Sequence, residues 1–179
     1  MMTIGHSNRP LEAFLALLKA HGVEVLVDVR TVPRSHHNPQ FNREALPAPL
    51  AAAGVEYVHM LGLGGLRHTR RDSINTGWRN ASFRGYADYM QTPEFAQNLE
   101  ELLQLEKGRR VAVMCAESVP WRCHRSLIAD ALAVRGIEVR HIMSVAKAEP
   151  HRLTRFAGVK GQRVTYPAEV MGLFEEVML

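Results

Sequence analysis

The chain contains only two cysteines in 179 residues, Cys115 and Cys123. This number is too small for the disulfide framework of a small secreted domain, so we expect a cytoplasmic protein whose thiols are reduced. The apolar runs fall far short of the roughly 20 residues that cross a membrane. The first residues, "MMTIG", indicate a strand rather than a secretory signal. The sequence therefore excludes a disulfide scaffold, and we expect no membrane partner.

The composition is that of an ordinary globular protein, with 46% hydrophobic and 22% charged residues. At this length the simplest organisation is a single domain covering residues 1–179. The formal net charge of +4 favours anionic partners, which include both small phosphate compounds and nucleic acids.

Predicted strands alternate with predicted helices along the chain. Branched apolar runs predict five strands, at residues 2–5, 23–30, 55–61, 110–116 and 137–143. Helical spacing predicts helices from near Leu11 and Pro93, a short alanine-rich helix ending at Gly54, and helices over residues 123–135 and 167–178. This alternation is typical of an α/β fold with a mostly parallel five-stranded sheet and helices on both faces. We expect residues 62–91 to form a long irregular insertion, rich in arginine and aromatic residues, between the third strand and the next helix.

Polar residues follow the predicted strands at their carboxyl ends, where parallel sheets bind ligands. The candidates for ligand binding are Ser7, Asp28, Arg30, Arg34, Gly65, Arg67, Cys123 and Arg125. The candidates for catalysis are Cys115, Glu117 and His124. We expect no cofactor and no metal, because adjacent Cys and His side chains cannot easily point at one ion and no further ligand follows at zinc-finger spacing.

Several motifs occur in the order in which one known family carries them: "TIGHSN", "DVRTVPRSHHNPQF", "GLGG", "YADYMQTPEF", "VMCAESVPWRCHR" and "VRHI". Over nearly its whole length the chain resembles the bacterial family known as domain of unknown function 488. The resemblance implies that eight residues fall on motif positions: Asp28, Arg30, Arg34, Cys115, Glu117, Cys123, His124 and Arg125. It implies no activity, because the family has no settled biochemical function.

Cys115 and Glu117 each have two interpretations. Cys115 is either a small buried apolar residue or a nucleophile that faces the start of the following helix. The second arrangement is similar in outline to cysteine phosphatases and sulfurtransferases, although the loop after Cys115 lacks glycine. Glu117 is either a nucleophile or general base, or the partner of a nearby arginine.

The arginines at the predicted edge indicate an anion site. Arg30, Arg34, Arg67 and Arg125 all follow strands, and guanidinium groups that converge on a helix N-terminus bind phosphate oxygens. The insertion adds Arg70, Arg71, Arg79 and Arg84 between Trp78, Phe83 and Tyr86. This mixture suits stacking on nucleic-acid bases, and it equally suits a loop that its own aromatic side chains pack.

These features favour an enzyme that binds a phosphate-bearing small molecule, nucleotide or nucleoside-like, with Glu117 or Cys115 as the reacting group of a hydrolase or transferase. The alternative is a non-catalytic nucleic-acid-binding module that uses a basic face. A pocket ringed by arginines favours the enzyme, and a broad basic face that extends over the insertion favours nucleic acid.

Overall fold

A computed structural model describes residues 1–168, which form one α/β domain around a mostly parallel sheet. The strands are β1 (Met2–Gly5), β2 (Val25–Asp28), β3 (Glu56–His59), β4 (Val111–Cys115), β5 (Arg140–Ser144) and β6 (Lys147–Pro150), in the order β3-β2-β4-β1-β5-β6. The first five strands run parallel to one another, as predicted. The sixth strand was not predicted: it turns back after β5 and pairs with it in the antiparallel direction. A separate hairpin consists of β7 (Gly158–Lys160) and β8 (Arg163–Thr165).

Five α-helices connect and cover the strands in the described part of the chain. They are α1 (Leu11–Ala20), α2 (Pro47–Ala52), α3 (Ala81–Tyr89), α4 (Pro93–Glu106) and α5 (Arg125–Ala133). Only the first two residues of the predicted helix over residues 167–178 are described, and neither is helical. The rest of that prediction lies outside the described residues.

The insertion is more regular than expected, because α3 occupies its second half. The side chain of Asn80 caps this helix by accepting hydrogen bonds from two backbone N–H groups of its first turn. The aromatic side chains of the insertion pack inward. Trp78 stacks on Phe83 with ring centroids 4.7 Å apart and contacts the ring of Phe156, while Tyr86 is completely buried.

The sheet is buried on both faces because the side chains of its central strands alternate between two cores. Val25, Val27 and Val113 point into a core that includes residues of α3, α4 and α5. Leu26 and Met114 point into the opposite core, which includes residues of α1 and α2.

The neighbouring strands β1 and β4 send the chain to opposite faces of the sheet. After β1 the chain continues into α1 on one face, and after β4 it continues into α5 on the other. Loops that diverge in this way leave a crevice at the carboxyl ends of the strands, which is where open α/β sheets bind ligands. In this protein the crevice lies between residues 6–10 and residues 116–124.

Candidate functional site

Two adjoining cavities occupy the carboxyl edge of the sheet. The thiol cavity has a volume of about 400 Å³, and its walls include Cys115, Cys123, His124, Arg122, Leu66 and Phe83. The polar cavity has a volume of about 470 Å³, and its walls include His6, Ser7, Asn8, Arg34, Ser35 and Asn38. Both cavities are lined by Arg30, Val32, Ala116 and Glu117, so one ligand can extend from the first cavity into the second.

The two cysteines lie side by side in the wall of the thiol cavity. Cys115 is the last residue of β4, and Cys123 follows the 3-10 turn Pro120–Arg122, which brings the chain back to the strand end. Their Sγ atoms are 2.7 Å apart, and both thiols are free. Cys115 is 2% exposed and Cys123 is 7% exposed.

Arg125 is a buried cation beside this thiol pair. Its side chain is 1% exposed, and Nη1 lies 2.9 Å from Sγ of Cys115. The guanidinium donates its other hydrogen bonds to the backbone carbonyls of Ile4, Glu117 and Ser118. None of the ion pairs in residues 1–168 includes Arg125. A buried charge without a counterion is costly, so the environment of Arg125 favours a negative charge on the neighbouring sulfurs.

His124 lies on the other side of Cys123 and is oriented to accept its proton. Nε2 of the ring is 3.2 Å from the carbonyl oxygen of Val29, which can only accept, so Nε2 carries the hydrogen of the neutral ring. Nδ1 is then free to accept, and it lies 3.5 Å from Sγ of Cys123. Gly65 packs closely against this ring, since a Cβ at that position would lie 2.5 Å from Nδ1 of His124.

These contacts separate the acidities of the two thiols. Burial, together with the hydrogen bond to Cys123, raises the pKa of Cys115 well above its ordinary value. The hydrogen bond with Cys115, assisted by His124 and Arg125, holds the pKa of Cys123 well below its ordinary value. The two shifts have opposite directions, so Cys123 is the thiol of the pair that more readily loses its proton.

The polar cavity is supported by a hydrogen-bonded array that starts at β2. Arg30 forms a buried ion pair with Asp28, with Nη2 2.6 Å from Oδ2, and its Nη1 donates to Nε2 of His6 over 3.0 Å. Nδ1 of His6 contacts the carbonyl oxygen of Ser7 at 2.7 Å and, as a donor, completes a neutral ring. Burial lowers the pKa of His6 to about 4, which agrees with this assignment. Ser7 has a left-handed backbone with φ of 53°, a conformation that non-glycine residues adopt mainly at constrained sites.

Glu117 lies where the two cavities meet. Its exposed carboxylate accepts a hydrogen bond from the backbone N–H of Val119 over 3.3 Å. The loop that carries it presses against the end of β1, because a Cβ added to Gly5 would collide with the carbonyl oxygen of Glu117. Only glycine allows this close approach of the two loops.

The family model described as "Domain of unknown function DUF488" matches residues 10–132. The chain belongs to this family. No curated protein and no solved structure matches the chain. The matched residues include both thiols, Arg125 and the residues of the polar cavity from Arg30 onward.

The expected arginine cluster is only half formed in this DUF488 protein. Arg30 and Arg34 line the polar cavity, and the guanidinium of Arg30 is paired there with Asp28. Arg67 points elsewhere: it stacks 3.5 Å from the ring centroid of Tyr89 and donates to the carbonyls of Gly62 and Gly64. Arg125 faces the thiols and the loop carbonyls rather than the cavities, so it does not form the expected helix-terminal anion site.

The structure adds two residues that the sequence analysis did not select. His6 lines the polar cavity, and Arg122 lines the thiol cavity from the 3-10 turn that precedes Cys123. Both residues are adjacent to candidate residues in the sequence. His6 directly follows the first strand, and Arg122 directly precedes Cys123 in the "WRCHR" segment. Their inward placement depends on local backbone turns, which the sequence pattern alone does not specify.

A third cavity of about 640 Å³ lies at β5 and β6 and reaches the turn at Pro120 and Trp121, and His141 and His151 line it. Thr3 Oγ1 bonds to Nδ1 of His141, whose Nε2 contacts Nδ1 of His151, whose Nε2 in turn contacts Asp130. Asp130 also accepts hydrogen bonds from Thr154 and Tyr166. These polar groups are satisfied by one another and hold residues 151–166 against α5, which is a structural role.

Residues 1–168 of this DUF488 protein include no helix that is long and apolar enough to cross a membrane. The same residues bring together no group of three or more His, Cys, Asp or Glu side chains that is able to hold a metal ion.

Proposed function

We propose that this DUF488 protein is an enzyme that binds a phosphate-bearing small molecule across the two cavities and attacks it with the Cys123 thiolate. The observation that carries the proposal is the buried guanidinium of Arg125 beside two adjoining thiols at the wall of the thiol cavity. Arg125 is a buried cation without a carboxylate partner in the described chain. Its Nη1 lies 2.9 Å from Sγ of Cys115, which in turn lies 2.7 Å from Sγ of Cys123. This arrangement stabilises a thiolate where a ligand can reach it, as in enzymes that use cysteine nucleophiles.

The reacting group is Cys123 rather than Cys115 or Glu117, which were the candidates from the sequence. Cys115 is the more buried thiol, and burial favours its protonated form. Cys123 has the lowered pKa and the adjacent Nδ1 of His124. Glu117 remains available at the junction of the cavities, where its exposed carboxylate can exchange a proton with the ligand.

The two cavities differ in chemistry, which suggests the kind of ligand. The polar cavity offers Arg34, Ser35 and Asn38, which suit a phosphate group. The thiol cavity has an apolar rim that includes Leu66, 73% exposed, and Val32, 64% exposed. Apolar side chains left uncovered at a cavity mouth suit the base of a nucleotide or another flat apolar group.

The proposed reaction is a displacement in two steps. The Cys123 thiolate attacks an electrophilic centre of the ligand, which forms a bond to sulfur and expels a leaving group that takes up a proton. A water molecule or a second acceptor then attacks the intermediate and restores the thiolate. Water makes the enzyme a hydrolase, and another acceptor makes it a transferase. The chemistry requires reduced thiols, so we place the protein in the cytoplasm.

The nucleic-acid alternative is weakened by the packing of the insertion. Tyr86 is completely buried, and Trp78 packs against Phe83 and Phe156, so much of the aromatic surface of the insertion is used within the fold rather than left open for stacking on bases.

The proposal is tested by calorimetry with a panel of nucleoside monophosphates, sugar phosphates and inorganic phosphate. Arg34→Ala should weaken binding of the best ligand by about 1.5–3 kcal/mol, the strength of a hydrogen bond to a charged group. Arg43→Ala is the matched control, because Arg43 is exposed on the same connection and lines neither cavity. Equal losses in both variants, or no binding by any member of the panel, would contradict the proposed ligand class.

A further inference from the structure

The proposed reaction requires one thiolate, yet the site contains a second thiol in direct contact with it. Sγ of Cys115 lies 2.7 Å from Sγ of Cys123, and nothing in the binding of a phosphate ligand requires it. We infer that the two residues form a redox-active dithiol, which hydroperoxides oxidise to an intramolecular disulfide. Only the consequence, loss of the nucleophile, rests on the proposed function; the oxidation needs no substrate.

The positions of the two thiols allow a bond with little movement. A disulfide has a sulfur–sulfur distance of about 2.0 Å, so the two Sγ atoms need to approach by less than about 1 Å. Cys115 is fixed at the end of a central strand, and Arg125 holds the intervening loop by donating to the carbonyls of Glu117 and Ser118. The thiols are therefore held close together by the fold rather than meeting by chance motions of a free loop.

The two thiols have different surroundings, which assign them different roles. Cys123 is the more exposed thiol, lines the thiol cavity and lies next to Nδ1 of His124. Cys115 is more buried and contacts Nη1 of Arg125. A peroxide that enters the cavity therefore meets the Cys123 thiolate first, and Cys115 is placed to resolve the product.

The oxidation proceeds in two balanced steps. The Cys123 thiolate attacks one oxygen of the hydroperoxide: a sulfur–oxygen bond forms, the oxygen–oxygen bond breaks, and the leaving oxygen is protonated, giving a sulfenic acid at Cys123. Cys115 then attacks the oxidised sulfur: a disulfide forms, the sulfur–oxygen bond breaks, and the released hydroxide takes the Cys115 proton to become water. Two thiols are oxidised and one peroxide is reduced, and a dithiol reductant reverses the change by thiol–disulfide exchange.

The test treats the native, reduced protein with hydrogen peroxide and measures free thiols, intact mass and peptide maps. The wild-type chain should lose two thiols and two hydrogen atoms without linking to a second chain, and dithiothreitol should restore both thiols. Cys115→Ser should stop at the sulfenic acid, which dimedone traps on Cys123. Cys123→Ser is the matched control: its remaining thiol should react about tenfold more slowly or less, because it is buried and protonated.

The inference is overturned if the native wild-type chain keeps both thiols under conditions in which dimedone labels Cys123 of Cys115→Ser. It is also overturned if the disulfides join two chains, or if Cys115 is the residue that forms the sulfenic acid. Cys115→Ala replaces Cys115→Ser if the serine variant does not fold. If the protein forms the disulfide but binds no phosphate ligand, this inference stands and the proposed function is removed. If it binds a phosphate ligand but forms no disulfide, the proposed function stands and this inference is removed.

Discussion

Replacement of the buried cation Arg125 by methionine should raise the pKa of the Cys123 thiol. Methionine keeps the apolar length of the side chain and removes the charge. Opposite charges about 4 Å apart attract by about 4 kcal/mol at an effective dielectric constant near 20, which corresponds to about three pKa units. A single charge-assisted hydrogen bond of about 1.5–3 kcal/mol corresponds to one or two units. Arg125 donates to Sγ of Cys115 over 2.9 Å and acts on Cys123 by its charge across that neighbouring sulfur, so we expect an increase of about one to three units.

The pKa is measured from the rate at which iodoacetamide modifies Cys123 at a series of pH values, with peptide mapping to assign the product. Arg122→Met is the matched control, because Arg122 lines the same cavity from an exposed position where solvent screens its charge. Arg125→Lys keeps the positive charge and should retain a lowered pKa. A folded Arg125→Met protein with the wild-type pH profile would refute the argument that Arg125 stabilises the thiolate.

Two further predictions concern stability. Burial lowers the pKa values of His6 and His141 from 6.5 to about 4, so both rings bind protons more readily in the unfolded chain. The neutral rings therefore contribute their full stabilisation above about pH 6.5. The free energy of unfolding, measured in urea, should fall by up to about 3 kcal/mol per histidine as the pH drops towards 4. A His141→Gln variant whose free energy of unfolding depends on pH as steeply as that of the wild type would contradict this. Gly5→Ala places a Cβ against the carbonyl oxygen of Glu117 and should lower the free energy of unfolding by about 1–3 kcal/mol. A urea unfolding midpoint equal to that of the wild type would contradict this, because it would show that the loop moves aside at no cost.

The strands were predictable because their sequences depend on burial alone. Residues 25–27 and 111–115 are continuous apolar runs, and both are fully buried in the centre of the sheet. The strand β6 was missed because "KAEP" is mostly polar and only partly buried at the sheet edge. It is a strand because its backbone pairs with β5, not because its side chains form an apolar pattern. The helix α3 was missed because "ASFRGYADY" contains Gly85, which lowers helix propensity. That glycine is needed because a Cβ there would lie 2.4 Å from the carbonyl oxygen of Arg67.

The location of the site followed from topology, whereas the direction of its side chains did not. Polar residues after parallel strands must gather at one edge, which correctly brought Arg30, Arg34 and the two cysteines together. The sequence does not show that Arg125 turns inward, because the carbonyls that hold it belong to β1 and to the loop after β4. For the same reason, the contact between two thiols eight positions apart could not be read from their spacing.

The most direct measurement is a crystal structure of the Cys123→Ser variant soaked with the tightest-binding member of the phosphate panel. The account predicts one molecule across both cavities, with its phosphate on Arg34 and its apolar part against Phe83 and Leu66. Its electrophilic centre should lie next to the Ser side chain that replaces the Cys123 thiol. Density in the third cavity at His141, or a phosphate held away from the carboxyl edge of the sheet, would contradict it.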